Sequence, residues 1–166
     1  MSKKNNHYKI GEIVVYPKHG VGEIKSIETL EFSKIKTKCY LIKMEQDKLM
    51  IRVPLDKQKE VGLRRISSKK KIEYVFNILK QKAKVRKIMW SRRAQEYDSK
   101  IHSGDPVKIG EVIRDLYRKN NQPEQSYSER QMFQTALERL AREVAAIEKT
   151  DYFNTTEKIE NILNRK

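Results

Sequence analysis

Cysteine occurs once in the 166 residues, at Cys39, so the chain cannot close a disulfide on itself, a pattern that fits a reducing compartment. No apolar run exceeds four residues (Ile13–Tyr16 is one), far short of the ~20 that a membrane-spanning helix needs. No hydrophobic stretch follows the basic N-terminus, so neither a signal peptide nor membrane attachment is expected, and the reading is cytoplasmic. Histidine is scarce and scattered, at His7, His19 and His102, and with one cysteine it offers no metal-ligand spacing. There is no Gly-x-x-x-x-Gly-Lys loop to cradle phosphates, and the serine and His-Glu elements of known hydrolases are absent. These absences leave no support for catalysis, a metal or a cofactor. Cys39 itself lies in a strand pattern and reads as a packed or edge residue rather than a nucleophile.

Acid is also missing from one stretch. The chain has 37 Lys+Arg against 22 Asp+Glu, a net charge of +15. More than half of that surplus falls in residues 67–93, where ten cations meet the single acid Glu73. A solubilising face mixes signs, whereas one-sign clustering costs self-repulsion that a polyanion relieves through counterion release. Nucleic acid is the first partner to consider, ahead of an acidic protein surface or an anionic membrane.

What is present divides in two. Residues 1–7 have nothing to bury and read as a frayed tail. Residues 8–66 carry short β-rich pieces: Tyr8–Tyr16, Val21–Glu31, Lys38–Glu45, Lys48–Val53 and a last one near 61–66. Pro17-Lys18-His19-Gly20 makes a turn, and Gln46-Asp47 is expected as a tight hairpin. Alternation in Leu49, Ile51 and Val53 points Met50 and Arg52 away from the core. Five strands in so short a span predict a small, strongly bent sheet or barrel.

Residues 67–166 change to a helical period, so the fold class is α+β, a β domain followed by an all-α bundle. Ile72, Val75, Phe76 and Leu79 mark one helix, with Ser67 or Ser68 as its cap. A second is expected from Lys87 to Ser103, and Asp105-Pro106 opens a third that carries Ile109, Val112, Ile113 and Leu116. The chain breaks at 120–123, after which Ser128 and Gln131 read as a capping box for a long helix. Residues 151–156 are expected to interrupt before a short closing helix.

Trp90, the only tryptophan, stands in Lys87-Ile88-Met89-Trp90-Ser91-Arg92-Arg93. Its spacing leaves two readings open. Trp90, Ala94, Tyr97 and Ile101 share a helical stripe, which would make the indole core. A flat ring flanked by Arg86, Lys87, Arg92 and Arg93 also suits DNA, with cations on phosphates and the indole stacked on a base or wedged between base steps.

The run Ile10-Gly11-Glu12-Ile13-Val14-Val15-Tyr16-Pro17-Lys18-His19-Gly20-Val21-Gly22, with Ile27-Glu28-Thr29 after it, resembles the opening of the CarD/CdnL bacterial transcription regulators. Ile51-Arg52-Val53-Pro54, Trp90-Ser91-Arg92-Arg93, Ser103-Gly104-Asp105 and Glu111–Tyr117 continue in family order. The resemblance implies a Tudor-like N-terminal domain that docks on the β subunit of RNA polymerase, with Met50, Arg52 and Pro54 in the polymerase-facing strand. It implies a helical DNA-binding domain whose Trp90 wedges at the upstream edge of the promoter bubble without reading sequence, in a monomeric regulator. Leu30 replaces a basic residue found in some members, and Ala94 a frequent tyrosine. Two other classes fit a small barrel joined to a basic helical domain: an RNA-binding or ribosome-associated factor, and a protein adaptor that never touches DNA.

Overall fold

The computed structural model describes residues 7–119 and 122–165. The fraying expected of residues 1–7 thus lies, except for His7, outside the described residues, as do two of the four residues of the break at 120–123. The chain divides into two compact units with the boundary between Arg65 and Ile66. A five-stranded antiparallel sheet forms the first and five helices the second, an α+β architecture with a Tudor-like β half.

The strands are β1 (Ile13–Tyr16), β2 (Gly20–Phe32), β3 (Ile35–Met44), β4 (Met50–Pro54) and β5 (Arg64–Arg65), in the order β4-β3-β2-β1-β5. β4 and β5 are the two edges. Period-two alternation sends Val14, Ile24, Tyr40, Ile42 and Val53 into one core with Met44, Tyr8 and Leu63. Gly22 is required there, because a Cβ would sit 2.8 Å from a methyl of Ile42 and 2.9 Å from the Met44 sulfur. Lys25 is an extra residue in β2: Ile24 pairs with Ile42 and Ser26 with Leu41, a bulge that bends the strand. Beyond it the hairpin outruns its neighbours, since β1 reaches only as far as Glu23 and β4 only as far as Cys39. Residues 29–32 and 35–38 therefore form a two-stranded arm. The expected tight turn at Gln46-Asp47 is a longer connection. Lys43 pairs with Met50, Lys48 takes the positive φ (56°) that a glycine would otherwise supply, and Leu49 is left exposed.

The helices are α1 (Lys69–Leu79), α2 (Trp90–His102), α3 (Pro106–Leu116), α4 (Tyr127–Glu148) and α5 (Tyr152–Asn164). Their apolar stripes meet in one core that includes Ile72, Val75, Leu79, Ile101, Val112, Ile113, Leu137, Leu140 and Ile159, and Ile66 packs against it. Ser68 caps α1 through the Lys71 amide at 3.2 Å, and Asp105 caps α3 through the Val107 amide at 2.9 Å.

Three boundaries differ from the sequence reading. α2 starts at Trp90, not Lys87, and no helix covers residues 80–89; the Asp115 carboxylate takes the Lys84 amide outside any helix, and Met89 is extended (ψ 142°) as the N-cap. α4 starts two residues early, because Ser126 and Glu129 provide the better box: the Ser126 hydroxyl accepts from the Glu129 amide at 3.2 Å, and a carboxylate suits the first turn. Residues 152–156 do not interrupt. Lys149 reverses the chain in the left-handed region (φ 54°), and Asp151, accepting from the Asn154 amide at 2.7 Å, caps α5 at once.

Candidate functional site

In the helical unit the basic segment is held by a buried ion pair. Arg114 and Asp115, 5% and 4% exposed, interrupt the apolar stripe of α3. The Arg114 guanidinium donates to both Asp115 carboxylate oxygens at 2.8 and 3.3 Å, and to the Gln81 side-chain oxygen at 3.1 Å. Asp115 also accepts the backbone N–H of Lys84 at 2.9 Å. Charges this buried are tolerated when hydrogen bonds satisfy them, and here the donors and acceptors tie residues 81–84 down onto α3. Sequence reasoning missed this latch. Its signal is two opposite charges at adjacent positions inside an apolar helical stripe.

The latched coil displays its cations. Among the described residues Lys80, Lys82, Lys84, Lys87 and Arg92 are exposed and have no ion-pair partner. Arg86 is exposed but bound to Glu96 at 2.7 Å, a surface pair of the kind worth at most ~1 kcal/mol and easily exchanged for another anion. Trp90 opens α2 as a half-buried residue, packed on the rim of the helical core with its ring 6.3 Å from that of Tyr97. It is neither a free indole nor an enclosed one. Arg93 is engaged differently from Arg92: its guanidinium lies 5.4 Å over the Trp90 ring and 5.7 Å over Tyr97, and it donates to the Tyr97 hydroxyl at 3.3 Å. Such contacts fix the orientation of the indole.

In the sheet unit Arg52 points away from the core, as alternation requires, and its Nε donates to Glu28 at 3.0 Å. Met50 is exposed on the same edge strand, and Pro54 is half-buried opposite Cys39. Leu30, Phe32 and Ile35 stand on the Glu28 face of the arm and are all exposed, Phe32 by 82%. Strand alternation alone did not mark them as surface. The Cys39 thiol is pushed above its usual range chiefly by burial and further by Asp56 and Glu28, with Arg52 pulling the other way. A protonated, covered thiol is a poor nucleophile. Among the described residues no three His, Cys, Asp or Glu side chains gather to hold a metal, and no helix is long and apolar enough to cross a membrane.

Residues 8–67 match the CarD-like/TRCF RID domain, and residues 74–163 match the CarD C-terminal domain. The chain belongs to the CarD family. A Bacillus subtilis (strain 168) protein named "Putative transcription factor YdeB" is 29% identical over 140 residues, which are 84% of this chain and 92% of that protein. In this CarD-family chain the C-terminal match takes in the latch, the cationic coil and Trp90, while the RID match takes in Met50, Arg52 and Pro54.

Proposed function

We propose that this CarD-family chain is a non-catalytic, cytoplasmic transcription regulator that stabilises the open promoter complex. Its β unit docks on the RNA polymerase β subunit through edge strand β4, with Met50, Arg52 and Pro54 at the contact. Its helical unit holds DNA without reading sequence, through Lys87 and Arg92, with Arg86 exchanging Glu96 for phosphate. Trp90, backed by Arg93, meets the upstream edge of the bubble. The observation that carries this reading is the placement of a half-buried, cation-backed indole directly after a coil of unpaired cations.

The energetics suit a tethered weak binder. Non-specific DNA affinity at physiological salt is typically 10⁻⁴–10⁻⁶ M, and a polymerase-bound tether supplies an effective concentration on the order of mM. A contact that favours melted over closed DNA by ~1.4 kcal/mol shifts their ratio tenfold.

The test is the lifetime of polymerase–promoter complexes after competitor challenge. Trp90→Ala should shorten it several-fold while costing the helical unit only about 1–2 kcal/mol, because the ring is half-buried. Arg52→Glu should weaken polymerase binding and leave binding to free DNA unchanged. Lifetimes that do not respond to the protein, or tighter binding to structured RNA than to forked DNA, would sink the reading.

A further inference from the structure

The exposed apolar side chain at the start of α2 is not Trp90 but the residue before it. Met89 is 76% exposed, whereas Trp90 has part of its ring against the helical core and Arg93 over it. Met89 occupies the N-cap of α2 and gives the helix no side-chain cap, a position where Ser, Thr, Asp or Asn would stabilise. Neither capping nor core packing accounts for it. Its neighbours are Lys87 and Arg92, both without an ion-pair partner among the described residues, and Val85 adds a second exposed apolar side chain to the same coil. An apolar point set among unpaired cations is complementary to a ligand with anionic edges and an apolar interior, which is the chemistry of a nucleic acid duplex whose phosphates flank stacked bases.

We infer that Met89 is a wedge residue in its own right, entering an opened base step beside Trp90. The inference rests on the DNA reading above and deepens it. An unbranched thioether is flexible and polarisable and packs well on aromatic rings, and methionine is among the side chains that proteins insert between base steps. Because insertion requires an unstacked step, Met89 contributes where stacking is already broken and little on intact duplex. It therefore sets preference for a fork junction, while the cations set general affinity.

The experiment uses the full chain with a fluorescently labelled DNA fork and its fully paired counterpart, affinity being read by anisotropy and junction stacking by a 2-aminopurine base. Wild type should favour the fork. Met89→Ala should lose about tenfold on the fork, ~1.4 kcal/mol, and less than about twofold on the paired duplex. Met89→Gln should behave like the alanine variant, and Met89→Leu should restore fork binding. Thermal melts should coincide for all of them, since the side chain is exposed. Unchanged fork affinity in Met89→Ala, with Trp90→Ala still impaired, would overturn the role of Met89 and leave the DNA reading intact. Equal losses on both DNAs would also overturn it. Wild-type protein that binds neither DNA would overturn both.

Discussion

Tyr8 does more for the sheet unit than fill space. Its hydroxyl donates to the Leu63 carbonyl at 2.9 Å, its amide donates to the Tyr40 hydroxyl at 3.1 Å, and Arg65 lies 4.8 Å over its ring. One side chain thus fastens the entry of β1 to the last turn before β5. Tyr8→Phe should lower stability by about 1–2 kcal/mol in urea unfolding, because the Leu63 carbonyl is left buried without that donor. Burial pushes the Tyr8 phenol above its ordinary value, with Arg65 opposing. A raised folded-state pKa means that the unfolded chain gives up its proton first. The stability this represents is complete below about pH 10 and is lost as pH climbs past it. The alkaline fall in stability should therefore be shallower in Tyr8→Phe than in wild type. Residue types carried some of this scale: Arg52 off the core follows from alternation, and Cys39, a small residue in a strand pattern, is packed although it shares the face of Arg52. Tyr8 was legible only as apolar enough to begin a strand, since its partners lie 32 and 55 positions away.

At the scale of elements, the latch on α3 decides where the basic coil starts. Asp115→Asn removes a buried anion and leaves Arg114 without its counter-charge, a change that typically costs about 3 kcal/mol or more. The Lys84 amide should then exchange with solvent at least about tenfold faster, a larger change than for amides in the middle of α4. Gln81→Ala, which removes one bond to Arg114, should give a smaller effect in the same direction. Helices with strong stripes were plain in the sequence, because Ile72, Val75 and Leu79, or Ile109, Val112, Ile113 and Leu116, can share a face only at helical spacing. Boundaries were not. On paper the helix through Trp90 and Tyr97 starts near Lys87, but the hold of Asp115 on the Lys84 amide and the extended backbone of Met89 leave it to begin at Trp90. Ser126 and Ser128 both look like caps until the acid at Glu129 selects the first. A single left-handed lysine at 149 shortened what read as a six-residue gap.

For the whole molecule, charge and topology act on separate units. The cationic surplus lies at the start of the helical half, where Lys69, Lys70, Lys80, Lys82, Lys84, Lys87 and Arg92 are exposed with no ion-pair partner among the described residues, so salt should weaken its grip on any polyanion steeply. In the sheet half, the exposed face of Leu30, Phe32 and Ile35 emerged only from the register past the Lys25 bulge, which no count of alternating residues supplies. That arm has a cost unrelated to partners. Each of its strands has one flank of backbone donors and acceptors with no neighbouring strand, the situation in which separate molecules zip together. Lys36 and Lys38, both exposed on that stretch, set like charges against such pairing. Replacing both with valine should convert a species of constant mass into one whose sedimentation grows with concentration. On the extension that reaches outward, two lysine side chains thus stand against polymerisation.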